Sequence, residues 1–176
     1  MRTLLLDRDG VINRDSPRFI RAPADWHPLP GSLEAIVRAR RAGYRVIVVS
    51  NQSGLARGLL GIRDLNAIHH RLQGALGRLG GDIEAFFFCP HGPDEDCACR
   101  KPRGGLLRTI AERLNLDLRT TPFIGDRVSD ALAAHSVGAR AILVRTGLEP
   151  LTATALEGLD DTEIYEDLAA AVDALL

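Results

Sequence analysis

Five short apolar runs alternate with five amphipathic stretches along this 176-residue chain, and the alternation constrains the fold more than any other feature. The runs are Thr3–Asp7, Tyr44–Ser50, Ile83–Cys89, Thr121–Gly125 and Ala139–Arg145. The stretches are Ser32–Ala42, Arg63–Leu79, Gly104–Leu114, Val128–Val137 and Asp167–Leu175. Leu65, Ile68, Leu72, Leu76 and Leu79 recur at spacings of three and four, which is one face of a helix. Gly43 and Gly138 stand where a helix should stop before the next strand. Strands and helices in this order require parallel strands joined by right-handed crossovers. The expectation is an α/β, Rossmann-like parallel sheet with helices on both faces, in a single domain over residues 1–176. That length is enough for a core of its own.

Composition narrows the function. The formal net charge is -1, which gives no electrostatic case for nucleic acid or a membrane surface as partner. There is no basic and apolar leader and no apolar run long enough to span a bilayer, so a cytoplasmic location without membrane attachment is expected. A monomer is the expected state. Lysine and arginine total 22, yet the only lysine is Lys101. A chain that uses arginine for every other cation has placed its one ammonium at a particular point.

The chemistry gathers at the ends of the runs. The first ends in Asp7-Arg8-Asp9-Gly10, two carboxylates one residue apart. In an open α/β sheet, ligands bind beyond the carboxyl ends of the strands. Taken alone, this segment reads equally as an acidic turn after an edge strand. The second run leads into Ser50-Asn51-Gln52-Ser53-Gly54-Leu55-Ala56-Arg57-Gly58. Its hydroxyls and amides suit phosphate oxygens, and alone it reads as a polar loop. The fourth run ends in Gly125-Asp126, with Asp130 four positions on. Asp7, Asp9 and Asp126 would converge from neighbouring strand ends, a hard-oxygen set suited to Mg²⁺. Asp130 would support that set. Two long connections, Asn13–Pro30 and Pro90–Pro102, break the alternation on the same side.

The third run ends in Cys89-Pro90-His91, followed by Cys97-Ala98-Cys99. All three cysteines and one histidine fall within eleven positions. Cys89, His91, Cys97 and Cys99 make a complete tetrahedral set for structural Zn²⁺. A Cys97–Cys99 disulfide is the alternative, disfavoured in a reducing compartment. Arg100 and Lys101 follow directly, so a zinc-stabilised loop would fix both cations. Among the other histidines, His69, His70 and His135 read as helix-surface or packing residues, and His27 lies in the first long loop.

Together these motifs resemble the haloacid dehalogenase superfamily: Asp7-x-Asp9, Ser50, Lys101 and Gly125-Asp126-x₃-Asp130, in that order. Within it, the chain resembles the D-glycero-D-manno-heptose 1,7-bisphosphate 7-phosphatases. That resemblance rests on Asp7-Arg8-Asp9-Gly10-Val11-Ile12-Asn13, on residues 51–58 and on the cysteine loop at 89–102. The histidinol-phosphate phosphatases share the cysteine loop, so they and other small phosphosugar phosphatases are the alternative. Ser50 stands where many members have threonine, and Arg127 where lysine is common.

The resemblance implies a capless fold and a small phosphorylated sugar as substrate. It implies that Asp7 is the nucleophile and Asp9 the acid/base, with Ser50 and Lys101 holding phosphoryl oxygens. Mg²⁺ would be held by Asp7, the Asp9 carbonyl and Asp126. Substrate contacts would come from Asp15, Ser16, Pro17, Arg18, Asn51, Gln52, Ser53, Arg57, Arg100 and Arg127. A phospho-receiver domain is a competing class, but its phosphorylated aspartate ends the third strand, where this chain has Cys89. No Walker loop or Gly-x-Gly-x-x-Gly fingerprint is present.

Overall fold

Runs buried on both faces become central strands because only a covered parallel sheet accommodates continuous apolar sequence. In the computed structural model, which describes residues 2–176, the strands are β1 (Arg2–Leu6), β2 (Tyr44–Asn51), β3 (Ala85–Cys89), β4 (Pro122–Gly125), β5 (Arg140–Val144) and β6 (Glu163–Tyr165). All pair in parallel, in the order β3-β2-β1-β4-β5-β6. The helices are α1 (Ser32–Arg41), α2 (Ser53–Ala56), α3 (Ile62–Arg78), α4 (Gly105–Leu114), α5 (Val128–His135) and α6 (Leu168–Asp173).

Side chains alternate across the sheet. Leu4, Leu6, Val46, Val48 and Ile124 face the layer formed by α1, α3 and α6. Leu5, Ile47, Val49, Phe123 and Leu143 face α4 and α5. The expected architecture is therefore present, with differences at its margins. The edge strand β6 and the single turn α2 were not anticipated. β3 opens at Ala85 rather than Ile83, because the Ile83 N–H and carbonyl bond the Gln73 side chain at 2.8 and 2.7 Å instead of β2. Gly43 and Gly138 both adopt left-handed φ, 87° and 73°, where their helices stop.

The strand order reverses between β1 and β4, which makes a crevice at their carboxyl ends. Asp7 extends this junction, donating its backbone N–H to Ile124 O at 2.8 Å. The connection from β1 to α1 carries a short 3₁₀ turn at Pro23–Asp25, and that from β2 to β3 carries only α2 and α3. Neither holds a separate cap.

Candidate active site

Asp7 leaves β1 almost fully buried. Its Oδ1 accepts from Arg8 N at 2.7 Å and its Oδ2 from Lys101 Nζ at 2.7 Å. Lys101 Nζ also forms an ion pair with Asp130 Oδ1 at 2.7 Å and donates to Val49 O at 3.3 Å. Burial favours the neutral amine, but Asp130 and Asp7 outweigh it and hold the lysine charged, above its ordinary range. The backbone of Lys101 is clamped from both sides by Asn51. Its N–H donates to Asn51 Oδ1, and Asn51 Nδ2 donates to its carbonyl, each at 3.1 Å. Asn51 pairs with Cys89 in the β2–β3 ladder, so the sheet register itself sets the lysine.

Asp126 ends β4 behind Asp7. Neither of its carboxylate oxygens has a hydrogen-bond partner among the described residues. The carboxylate sits against Gly10 and Gly147, where any side chain would collide with it. Gly10 also needs its left-handed φ of 82° to turn the chain there. Asp130, in the first turn of α5, accepts from the N–H groups of Asp126 and Arg127 at 3.1 and 3.0 Å. Asp7, Asp126 and Asp130 bring ligand oxygens within 4.8 Å of one another. Burial, then Asp7 and Asp130, push the Asp126 carboxyl up to about 9. Burial likewise raises Asp7 to about 7, Lys101 opposing the shift and Asp130 adding to it. A buried carboxylate with two unpartnered oxygens among like charges fits a cation in contact with it.

Asp9 is balanced differently. The Arg8 guanidinium grips both its oxygens at 2.9 Å. Asn13 Nδ2 donates to Oδ1 at 2.9 Å, and Gln52 Nε2 lies 3.4 Å from Oδ2 and 3.3 Å from Ser50 Oγ. Burial opposes the charged form of Asp9, but the Arg8 charge and these hydrogen bonds prevail and hold it below the ordinary carboxylate range.

A cavity of about 740 Å³ opens over these groups. Asp7, Asp9, Asp15, Ser16, Pro17, Asn51, Gln52, Ser53, Arg57, Arg100, Lys101, Arg127 and Asp130 all line it. Ser50 and Asp126 lie beneath the wall, both 1 % exposed. Arg18 and His27 are exposed and lie off the lining, His27 bonding Asp25 O at 3.0 Å. Phe19, Glu95, Ser129 and Glu149 also line the cavity and had no motif to announce them. Glu149 pairs with Arg127 at 2.8 Å, and Arg127 also pairs with Asp15 at 2.8 Å, so one guanidinium ties two loops together.

At the end of β3, Cys89, His91, Cys97 and Cys99 gather into one cluster. Cys89 Sγ lies 3.5 Å from His91 Nδ1, 3.7 Å from Cys97 Sγ and 3.0 Å from Cys99 Sγ. Ligands at the corners of a tetrahedron, each about 2.3 Å from zinc, lie roughly 3.8 Å apart. The cluster has the donors and nearly the size of such a tetrahedron.

Comparison with known proteins places the chain. A HAD-hydrolase-like family model matches residues 98–171. A D-glycero-β-D-manno-heptose-1,7-bisphosphate 7-phosphatase of Bordetella bronchiseptica is 48% identical over 177 residues, covering 100% of this chain and 98% of that protein. The chain belongs to this phosphatase family. A Pseudomonas putida protein of the same name is 45% identical and covers 100% of both chains. A crystal structure of the D,D-heptose 1,7-bisphosphate phosphatase from B. bronchiseptica, complexed with magnesium and phosphate, superposes with a TM-score of 0.93. It has 47% identity over 99% of this chain and 98% of that one. The corresponding Burkholderia thailandensis enzyme gives a TM-score of 0.71 at 36% identity, over 99% of this chain and 98% of that one. The family is one of HAD-like phosphatases, and the fold described above is theirs.

Proposed function

We propose that the chain removes the 7-phosphate of D-glycero-D-manno-heptose 1,7-bisphosphate through an aspartyl-phosphate on Asp7. The observation that carries the substrate is full-length similarity to phosphatases of that name. The observation that supports the chemistry is Asp7 at the floor of the cavity, with Lys101 and Asp9 beside it.

Lys101 and Arg8 N–H fix the Asp7 carboxylate from two sides, so an oxygen is already aimed when the phosphoryl group arrives. Asp7 attacks phosphorus, and the bond from phosphorus to the sugar oxygen breaks. Asp9, ionised in the empty site, would take up a proton as the anionic phosphate binds, pass it to that leaving oxygen, and then take one from the water that cleaves the acyl phosphate. Arg8, Asn13 and Gln52 hold Asp9 in one direction throughout. Ser50 and Lys101 would hold the transferring oxygens. Magnesium fits the pocket between Asp7 and Asp126, with the Asp9 carbonyl, and would supply positive charge to offset nucleophile and phosphate. Asp130 acts one step back, fixing Lys101 and the N-terminal turn of α5. Asp15, Ser16, Ser53, Arg57, Arg100 and Arg127 would contact the sugar and its distal group.

The cysteine cluster would hold a structural zinc, since four protein donors leave no open position. Thiolate ligands of this kind suit a reducing cytoplasm. Steady-state comparison of heptose bisphosphate, histidinol phosphate and hexose phosphates tests the assignment. The heptose bisphosphate should give the highest kcat/KM, and a higher value for histidinol phosphate overturns it.

A further inference from the structure

Arg8 is the largest side chain fully buried among the described residues, and only part of it is used. Its Nε and Nη2 grip Asp9, each at 2.9 Å. Its Nη1 has no partner among the described residues. A guanidinium stays charged in a protein, so this buried N–H edge can only donate. Leaving such a donor unmade inside a core is costly, whereas a satisfied one stiffens the group that carries it. An acceptor near Arg8 is therefore called for.

His69 offers one. Leu6, Val48 and Phe86 form one row across β1, β2 and β3, and Ser50 and Phe88 pair in the next. Arg8 lies two places beyond Leu6, at the level of that second row. α3 covers these strands with the buried stripe Leu65, Ile68, His69, Leu72 and Leu76, in which His69 is the one polar member. Its ring stacks on Phe86 at 4.1 Å and lies 6.5 Å from Phe88. The charges of Arg8 and Asp9 both act on the ring, in opposite senses, so it lies close to their grip. Burial and then the Arg8 charge lower it to about 4, and at neutral pH it keeps one lone pair. Its Nε2 is buried and, like Arg8 Nη1, has no partner among the described residues. A buried cationic donor and a buried imidazole acceptor are complementary, and one water between them would satisfy both. Packing against Phe86 alone would be served as well by a phenylalanine, which lacks only the nitrogens.

We infer that His69 is a positioning residue for the acid/base: its Nε2 accepts, through one bridging water, from Arg8 Nη1 and so holds the guanidinium, and with it the Asp9 carboxylate, in one orientation. His69 does not line the cavity, so it acts through Arg8 alone. The inference deepens the function proposed above and rests on it for the role of Asp9.

The test measures kcat and KM in the wild type, His69→Phe and His69→Gln, with heptose 1,7-bisphosphate or whichever ester of the panel above turns over fastest. His69→Phe keeps a ring against Phe86 and removes the acceptor. Its kcat should fall about tenfold, with KM within about twofold of wild type. His69→Gln puts an amide oxygen near the place of Nε2 and should recover most of kcat. An unchanged kcat in His69→Phe, a loss carried mainly by KM, or equal losses in both variants overturns the inference. Nitrogen NMR of the magnesium-loaded wild type reads the ring without turnover, whatever the variants do. At neutral pH it should show a proton on Nδ1 and an unprotonated, hydrogen-bonded Nε2. A proton on Nε2 overturns the inference. Asp9→Asn in the same assay reads the other question: undiminished kcat there overturns the acid/base role of Asp9, while the state of the His69 ring still reports on its link to Arg8.

Discussion

Replacing Lys101 with methionine would remove the one cation shared by Asp7 and Asp130 and leave a buried cluster of carboxylates. Each pair is worth about 4 kcal/mol before solvation is counted, at a separation near 4 Å and an effective dielectric constant of about 20. Removing one partner of a buried pair typically costs about 3–5 kcal/mol. Proton uptake sets a ceiling. Protonating a carboxyl whose ordinary value is 3.8 costs at most about 5 kcal/mol at pH 7.5, from about 1.36 kcal/mol per pH unit. A loss of about 3–5 kcal/mol in a chain of this size lowers Tm by roughly 6–20 °C. The sign with pH follows from linkage. Without the lysine, burial and mutual repulsion raise the carboxyl values in the folded state. That state then binds more protons than the unfolded chain, and stability falls as pH rises. The deficit relative to wild type should therefore be larger at pH 8 than at pH 5.5. Urea unfolding of magnesium-free protein at both values measures it. Added magnesium should recover more stability in the variant than in the wild type. A variant as stable as wild type at pH 8, or a deficit that grows on acidification, would refute the shared-charge account.

Asp7→Asn should abolish phosphate release, by about a thousandfold or more, while Tm stays level or rises because one of three crowded carboxylates is gone; an active variant would point to another nucleophile. Metal analysis of unchelated protein should find about one zinc per chain, and stripping it should lower Tm and free the segment that carries Lys101, read as lost protection from hydrogen exchange around residues 97–103. His69 is buried, its ring 4.1 Å from that of Phe86, and burial lowers it from 6.5 to about 4. As pH falls from 6.5 toward 4, the unfolded chain takes up a proton that the folded state refuses, so stability should fall by up to about 3 kcal/mol. His69→Phe should remove that part of the slope, and an unchanged pH profile of the urea midpoint would count against it.

How much of this was legible depends on whether a residue's partner is local. β1 to β5 were readable because each is a continuous apolar run, including β3, which lies half-buried at the other sheet edge. β6, with Glu163-Ile164-Tyr165 half-buried at the sheet edge, has no such run, and α2 is a single turn. The convergence of Asp7 and Asp126 was readable because strand ends at the reversal of strand order must meet. Asn51 illustrates the limit: its residue type fits phosphate contact, and it lines the cavity, yet its amide also grips the Lys101 backbone fifty positions away. The left-handed Phe19 carries no local signal at all, since sterics argue against that conformation for its type.

Charge shows the same limit most sharply. By sequence the chain is almost neutral and its loops are rich in arginine, so no deficit is visible. In three dimensions the arginines nearest the cavity-floor carboxylates are already spoken for. Arg8 is consumed by Asp9, and Arg127 by Asp15 and Glu149. What remains beneath the cavity is Asp7, Asp126 and Asp130 against Lys101, with Arg127, already paired twice, reaching Asp126 only at 3.9 Å. Fully ionised, that cluster is short of two positive charges, the charge of one divalent cation. An arriving phosphoryl group, itself anionic, would deepen the imbalance. Burial and repulsion already push Asp126 toward its protonated form at neutral pH. A divalent cation seated against its two unpartnered oxygens would reverse that push, ionise the site and admit the phosphate in one event. Cation and substrate binding should accordingly be coupled, each strengthening the other, because they correct the same local deficit from opposite sides.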